Sequence, residues 1–271
     1  MILYKYMSFN SANSVIDNGS MGFSCLEDLN DPFECAALCF EESDELSSSL
    51  QFGAYRSRLS RKYGILSLTR NPLNALMWAH YGDDHRGVVI GIDVEKAGLN
   101  DLSKCVVPAK FGEIIYTSTI PRNNLPTSTK DSLILVGNQS YSFHEDSYDL
   151  FKNAFLNKDL SWAYEEEVRV VKNIIDPKGG SRYKKYNYQN SVGNWNQIQH
   201  QGRPVCCLSI PQESIVEAYL GCSTYKNVSR LGLDKSEYPS IREKWKSKGV
   251  DIKVVRQKAN SWDLEVSDSV V

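Results

Sequence analysis

The stretch that most constrains this chain is Trp162-Ala-Tyr-Glu165-Glu166-Glu167-Val168-Arg169-Val170-Val171. β-Branched residues fit a pleated surface and crowd a helix, so Val-Arg-Val-Val reads as a strand. Along extended backbone, residues two apart share a face. Glu165, Glu167 and Arg169 therefore point one way and Glu166 the other. Two readings fit that face. In one, Arg169 holds one carboxylate ionised beside a second whose pKa is raised by repulsion, as in a catalytic site. In the other, the charges sit on a solvated edge strand and discourage aggregation.

A chain of 271 residues buries a full core, and its 41% hydrophobic and 24% charged residues are ordinary for a globular protein. A net charge of −2 gives no global basic field for nucleic acid or a membrane. No apolar run approaches the ~20 residues that span a bilayer, and no signal-peptide pattern opens the sequence, so a cytoplasmic location is expected. The seven cysteines match neither a disulfide framework nor a zinc ribbon, so no metal is predicted and the thiols read as structural.

In chain order, Leu3-Tyr-Lys-Tyr6 is a strand, Ser8–Asn18 a helix, and Met21–Cys25 a strand. Asp31-Pro32-Phe33-Glu34 reads as a capped helix start. The acidic, serine-rich stretch 41–49 reads as an exposed linker or a helix edge. Ile65–Thr69 is a strand; Asn71 caps and Pro72 opens a helix to Gly82, followed by the strand Gly87–Asp93. That unit holds His80, Tyr81, His85 and Arg86 at one rim. Lys110–Tyr116 is a further strand, and the segment up to Asn157 ends in a helix through Tyr148, Phe151 and Phe155. The polar segment 176–203, with Tyr183-Lys-Lys-Tyr186 and Trp195, reads as a loop or insertion in which basic and aromatic residues can stack and neutralise a nucleotide or RNA, or else as a mobile hairpin. Three later strands flank a helix over 236–249, and Leu264–Val266 closes the sheet. Irregular order without βαβ alternation predicts one α+β domain with a mixed or mostly antiparallel sheet.

Leu3-Tyr-Lys-Tyr6, Asn30-Asp-Pro-Phe-Glu34, Leu66-Ser-Leu-Thr69, Met77-Trp-Ala-His-Tyr81, Gly87–Asp93 and Trp162–Arg169 occur in that order. Together they resemble a large bacterial family of uncharacterised function over most of the chain. Glu165-x-Glu167-Val-x-Val is also similar to the Glu-x-Glu strand of ADP-ribosyltransferases. In that family a basic or His residue on the first strand and a Ser/Thr-bearing strand precede it. Here Lys5 stands where Arg or His is usual, and Ser67-Leu-Thr69 matches the Ser/Thr strand loosely.

The resemblance implies an ADP-ribosyltransferase-like fold and a transferase or NAD glycohydrolase of toxin or anti-phage defence type, with NAD as substrate. Glu167 then stabilises an oxocarbenium-like ribose and Glu165 orients or deprotonates the acceptor, a protein or nucleic acid. Trp78 or Tyr81 stacks on nicotinamide, Lys5 or Arg169 neutralises the pyrophosphate, and Ser67 and Thr69 support them, with Tyr6 and His80 alongside. The alternatives are a non-catalytic nucleic-acid-binding or defence-associated interaction protein, using 182–195, and a scaffold in which Glu165, Glu167 and Arg169 form a structural ion-pair network.

Overall fold

Alternating apolar residues on long strands create two sheet faces, and the fold follows from what covers each. A computed structural model describes residues 1–40, 48–121, 124–125, 136, 140–180, 184–200, 202–224 and 237–267. In chain order its strands are β1 (Ile2–Met7), β2 (Ser20–Phe23), β3 (Cys39–Phe40), β4 (Tyr63–Thr69) and β5 (Val88–Asp93). Then come β6 (Ile115–Thr117), β7 (Asn124–Leu125), β8 (Asn157–Asp159), β9 (Glu167–Asn173) and β10 (Tyr186–Asn190). The last are β11 (Gly193–His200), β12 (Arg203–Ser209), β13 (Ile215–Leu220), β14 (Asp251–Gln257) and β15 (Leu264–Ser267). Helices α1 (Phe9–Asn18), α2 (Ser48–Lys62) and α3 (Ala75–Tyr81) are joined by helices at Glu145–Phe155 and Glu237–Ser247.

The architecture is α+β. A seven-stranded sheet runs β15-β14-β13-β5-β1-β4-β9, parallel only between β13 and β14, and a four-stranded sheet runs β10-β11-β12-β2. One face of the large sheet, with Leu3, Leu66, Leu68, Ile90, Val168 and Val170, forms the main core. Against it pack α1, the inner face of the small sheet and Trp245 of the last helix. On the opposite face two separate apolar clusters form. Tyr63, Ile65 and Val171 pack with α2 and the helix Glu145–Phe155. Tyr6, Val89 and Tyr219 pack with Met77 and Trp78 of α3. Ser67, Thr69, Glu167 and Arg169 fall between the clusters by the same alternation that buries their neighbours.

The large sheet is split. β1 pairs with β5 over six residues and β4 with β9 over seven, yet β1 and β4 share the single pair Tyr4–Thr69. Beyond it the strands part, and the Ser67 carbonyl has no ladder partner on β1. Lys5 replaces that partner: its ammonium donates to the Ser67 oxygen at 2.9 Å. By alternation Lys5 belongs with Leu3 and Met7 on the core face, so its amine reaches through the split.

Several local expectations change. Asp31–Leu38 is a chain of turns, not a helix. Asp31 does accept from the Phe33 amide, but Cys35 lies in the left-handed region at φ +70°, which breaks any helix there. Helix α3 begins at Ala75 because Asn74, not Asn71, caps it by accepting from the amides of Leu76 and Met77. Asn71 closes its own turn by accepting from Leu73. A short 3-10 turn at Ala109–Phe111 replaces the first half of the strand expected at Lys110–Tyr116. In segment 176–203, expected as a polar loop or insertion or as a mobile hairpin, residues 186–200 form the β10–β11 hairpin. Its Trp195 is buried against Phe23 with Tyr188 stacked on it, so one face of a polar-looking strand closes the core. Residues 41–47, 122–123, 126–135 and 181–183 lie outside the described residues, and with them most of the acidic linker and the Arg182-Tyr183 end of the basic run.

Strand β9 is last in the sheet, but it is not a solvated edge. All its residues are buried, and its free side bonds to the segment 106–114. There the Arg169 amide donates to the Gly112 carbonyl at 2.7 Å. A Cβ on Gly112 would stand 1.8 Å from the Arg169 oxygen. Gly112→Ala must push that segment off β9 and is expected to cost about 1–3 kcal/mol, read as a lowered urea midpoint. A midpoint equal to wild type would show that the segment yields freely.

Candidate functional site

The split opens into a cavity of about 280 Å³. Residues from four remote parts of the chain line it: Tyr4–Tyr6 from β1, Asn30 and Glu34 from the turns, Ser67–Thr69 from β4, and Lys158, Glu165, Glu167 and Arg169. Met77 and Tyr81 of α3 close one side.

A 3-10 turn over Leu160–Glu165 ends at Glu166, which adopts φ +46° and enters β9. That reversal leaves Glu166 exposed, accepting from Asn71, while Glu165 and Glu167 both turn into the cavity. Their side chains are 5% exposed. Arg169 uses all its N–H groups inside the protein. Nε and one terminal nitrogen hold Glu167 at 2.8 and 3.2 Å. The two terminal nitrogens hold Glu34 at 2.6 and 2.7 Å, and one also donates to the Phe155 carbonyl. Lys158, on β8, donates to Glu165 at 2.6 Å and Glu167 at 3.2 Å, with its ammonium over the Trp162 ring. The Tyr81 hydroxyl donates to the other Glu165 oxygen at 2.6 Å and accepts from Asn30. The Glu167 amide donates to the Tyr116 hydroxyl.

Three carboxylates (Glu34, Glu165, Glu167) are thus paired with two cations (Arg169, Lys158), with the Lys5 amine nearby on the Ser67 carbonyl, so most of the buried charge is compensated. Burial pushes the Glu167 carboxyl up, but Arg169 and Lys158 outweigh it, helped by bonds from Arg169 and Ser67, and hold it at about 2. Burial lowers the Lys5 pKa against the attraction of Glu167. Burial first, then the bonded Glu165, raises that of Tyr81, which keeps its proton at neutral pH.

The Glu167 shift makes stability depend on acid. Its folded value lies below the ordinary 4.5, so its contribution is fully present above pH 4.5 and is lost as pH falls toward 2. Melting temperature is expected to fall across that window in wild type and to fall less in Glu167→Gln. Parallel curves for the two proteins would show that another carboxylate carries the acid transition.

Of the ten residues expected at the site, eight line the cavity: Glu165, Glu167, Lys5, Tyr6, Ser67, Thr69, Tyr81 and Arg169. Their availability differs. Arg169 is fully engaged by protein groups and has no donor left for a pyrophosphate, which corrects that expectation. The Tyr6 hydroxyl is held between the Asn71 carbonyl and the Asn74 amide, pinning the start of α3. The Thr69 hydroxyl accepts from the Asn71 amide. Trp78 does not reach the cavity: it is fully buried beneath Tyr6, its indole N–H on the Pro72 carbonyl, and cannot stack on a ligand. His80 faces solvent beside Tyr81 and Tyr164. Lys158 and Glu34 were not anticipated. Glu34 reads as a helix-start carboxylate until the left-handed Cys35 redirects the chain, and a lone lysine in Asn-Lys-Asp carries no local signal.

Among the described residues, no group of three or more His, Cys, Asp or Glu side chains is placed to hold a metal ion. No helix among them is long and apolar enough to cross a membrane.

The model of a family described as a protein of unknown function (DUF2971) matches residues 77–170. That span runs from α3 into β9 and carries Tyr81, Lys158, Glu165, Glu167 and Arg169, in keeping with the expected resemblance to an uncharacterised family. No curated protein and no solved structure matches the chain.

Proposed function

We propose that this protein cleaves the nicotinamide–ribose bond of NAD in the split of its large sheet, passing ADP-ribose to an acceptor or to water. One observation carries the reading. The Lys5-Tyr6, Ser67-x-Thr69 and Glu165-x-Glu167 elements, far apart in sequence and tied together only by the resemblance to ADP-ribosyltransferases, line one cavity on neighbouring strands.

Glu167 is an anion at every physiological pH, fixed in place by Arg169, Lys158 and Ser67. A fixed carboxylate stabilises an oxocarbenium-like ribose better than solvent does, because it needs no reorganisation as charge develops. The C–N bond breaks with its electron pair leaving on neutral nicotinamide. The acceptor then bonds to the ribose C1′ and loses its proton through Glu165 to solvent. Tyr81 and Lys158 hold Glu165 for that role. The cavity of about 280 Å³ lies just below the usual ~300–1,000 Å³ for ligand pockets, so it encloses the reacting end of NAD and leaves the rest outside.

Fluorescence-monitored NAD consumption by the purified protein, alone and with cell lysate, tests the reading. Turnover that is lost in a folded Glu167→Gln variant supports it. Absence of both turnover and an NAD-induced thermal shift overturns it.

A second reading, the structural ion-pair network, is favoured by the saturation of Arg169. On that reading the variant changes stability and no chemistry is found. Nucleic-acid binding through the hairpin has lost Trp195 to the core, which leaves Lys184 and Lys185 as exposed cations of that segment among the described residues.

A further inference from the structure

The cavity is one end of a longer polar row. Pairing registers align Glu167 with Thr69, Thr69 with Tyr4, Tyr4 with Gly91 and Gly91 with Glu217. Directly paired residues point to the same face, so this row crosses five strands on the face that carries the cavity. Four steps at ~4.8 Å place Glu217 about 19 Å from Glu167 along the sheet. An extended dinucleotide, two riboses joined through a diphosphate, runs along such a row.

The far end is built from charged and aromatic groups. Lys253 donates to one Glu217 oxygen at 2.6 Å, and the Tyr219 hydroxyl donates to the other at 3.1 Å. The Tyr4 ring, which lines the cavity on its other side, meets Tyr219 edge-on. The Glu217 and Lys253 side chains remain 16% and 25% exposed, so the carboxylate is ordered but reachable. Two backbone features serve this placement. A bulge between Ile215 and Glu217 resets β13 next to Glu217. Gly91 lets Glu217 and Tyr4 close over β5: a Cβ there would stand 2.9 Å from the Glu217 Cβ, 3.1 Å from its carboxylate and 3.2 Å from the Tyr4 ring.

The geometry points to Glu217 as the anchor for the distal, adenosine-side ribose of the dinucleotide whose reacting end occupies the cavity. This rests on the NAD reading. The 2′-hydroxyl of that ribose donates to the carboxylate, which still has an acceptor site beyond the donors Lys253, Tyr219 and Tyr4. The exposed part of the Tyr4 ring flanks the sugar.

Calorimetric titration of the intact protein with ADP-ribose and with nicotinamide mononucleotide separates the two ideas. Glu217→Gln is expected to weaken ADP-ribose about tenfold, the worth of a hydrogen bond to a charged group, and to leave nicotinamide mononucleotide unchanged. A second arm needs no variant: ADP-ribose lacking the adenosine 2′-hydroxyl should bind wild type more weakly by a similar factor. Wild type that binds neither ligand overturns the NAD reading and this inference together. Wild type that binds nicotinamide mononucleotide, with ADP-ribose affinity indifferent to both Glu217→Gln and the deoxy analogue, overturns the anchor alone.

Discussion

Arg169→Met is expected to destabilise the protein by about 3–5 kcal/mol, the cost of stranding buried charges. The Arg169 side chain is 1% exposed and is the sole cation within salt-bridge distance of Glu34 among the described residues. Methionine roughly fills the stem's volume, so the loss is electrostatic and not a cavity effect. Without the guanidinium, Glu34 must be buried unpaired, protonate, or bring in water, and the Phe155 carbonyl loses a donor. Lys158 still serves Glu165 and Glu167 but does not bond Glu34. Adding Glu34→Gln to Arg169→Met should recover part of the loss, because the stranded charge is then gone; the two changes should couple by at least ~1 kcal/mol. Urea unfolding followed by far-UV circular dichroism measures both. A single variant within 1 kcal/mol of wild type would remove the network from the account of stability. Arg169→Lys should also fail to restore it, since an ammonium cannot make two paired forks.

How much of this was legible in the sequence divides along physical lines. Period-2 alternation is local and places Glu167 and Arg169 on one face of β9, but Glu165 joins them because a 3-10 turn and the left-handed Glu166 turn it inward, not because the chain is extended there. The strand–helix–strand unit from Ile65 to Asp93 was equally readable, apart from the choice between Asn71 and Asn74 as cap, two asparagines with similar credentials. What the sequence concealed depends on long-range geometry. Lys158 matters because β8 pairs with β6 and so delivers it beneath β9. Glu34 matters because one residue, Cys35, takes a conformation that propensity disfavours. Trp78 sits on the same helix as Tyr81, and its role depends on a remote contact, the edge-on packing against Tyr6 of β1. Nothing local marks the split between β1 and β4, yet it makes the cavity and explains why a lysine stands on an otherwise core-facing alternation.

Glu167→Gln is expected to lower NAD turnover by roughly 10²–10³-fold, as loss of one preorganised electrostatic group does, while the protein stays folded. Both halves matter, because Glu167 also belongs to the network. Against the upward push of burial, Arg169 and Lys158 hold its carboxyl at about 2, below the ordinary 4.5, so removing the charge forfeits on the order of 3 kcal/mol. The true loss should be smaller: Arg169 keeps Glu34, Lys158 keeps Glu165, and the amide still accepts a hydrogen bond. A domain with an ordinary ~5–15 kcal/mol of stability would then remain almost wholly folded. A hundredfold fall in rate cannot arise from an unfolded fraction of a few per cent, so rate and melting curve together separate chemistry from structure. Charge reversal cannot make that separation: Glu167→Lys places a third cation against Arg169 and Lys158 and should unfold the chain whatever the site does. A folded Glu167→Gln variant that turns over NAD at the wild-type rate would reduce Glu167 to a strut. Wild type that never consumes NAD would leave the same carboxylate as the centre of a structural ion cluster.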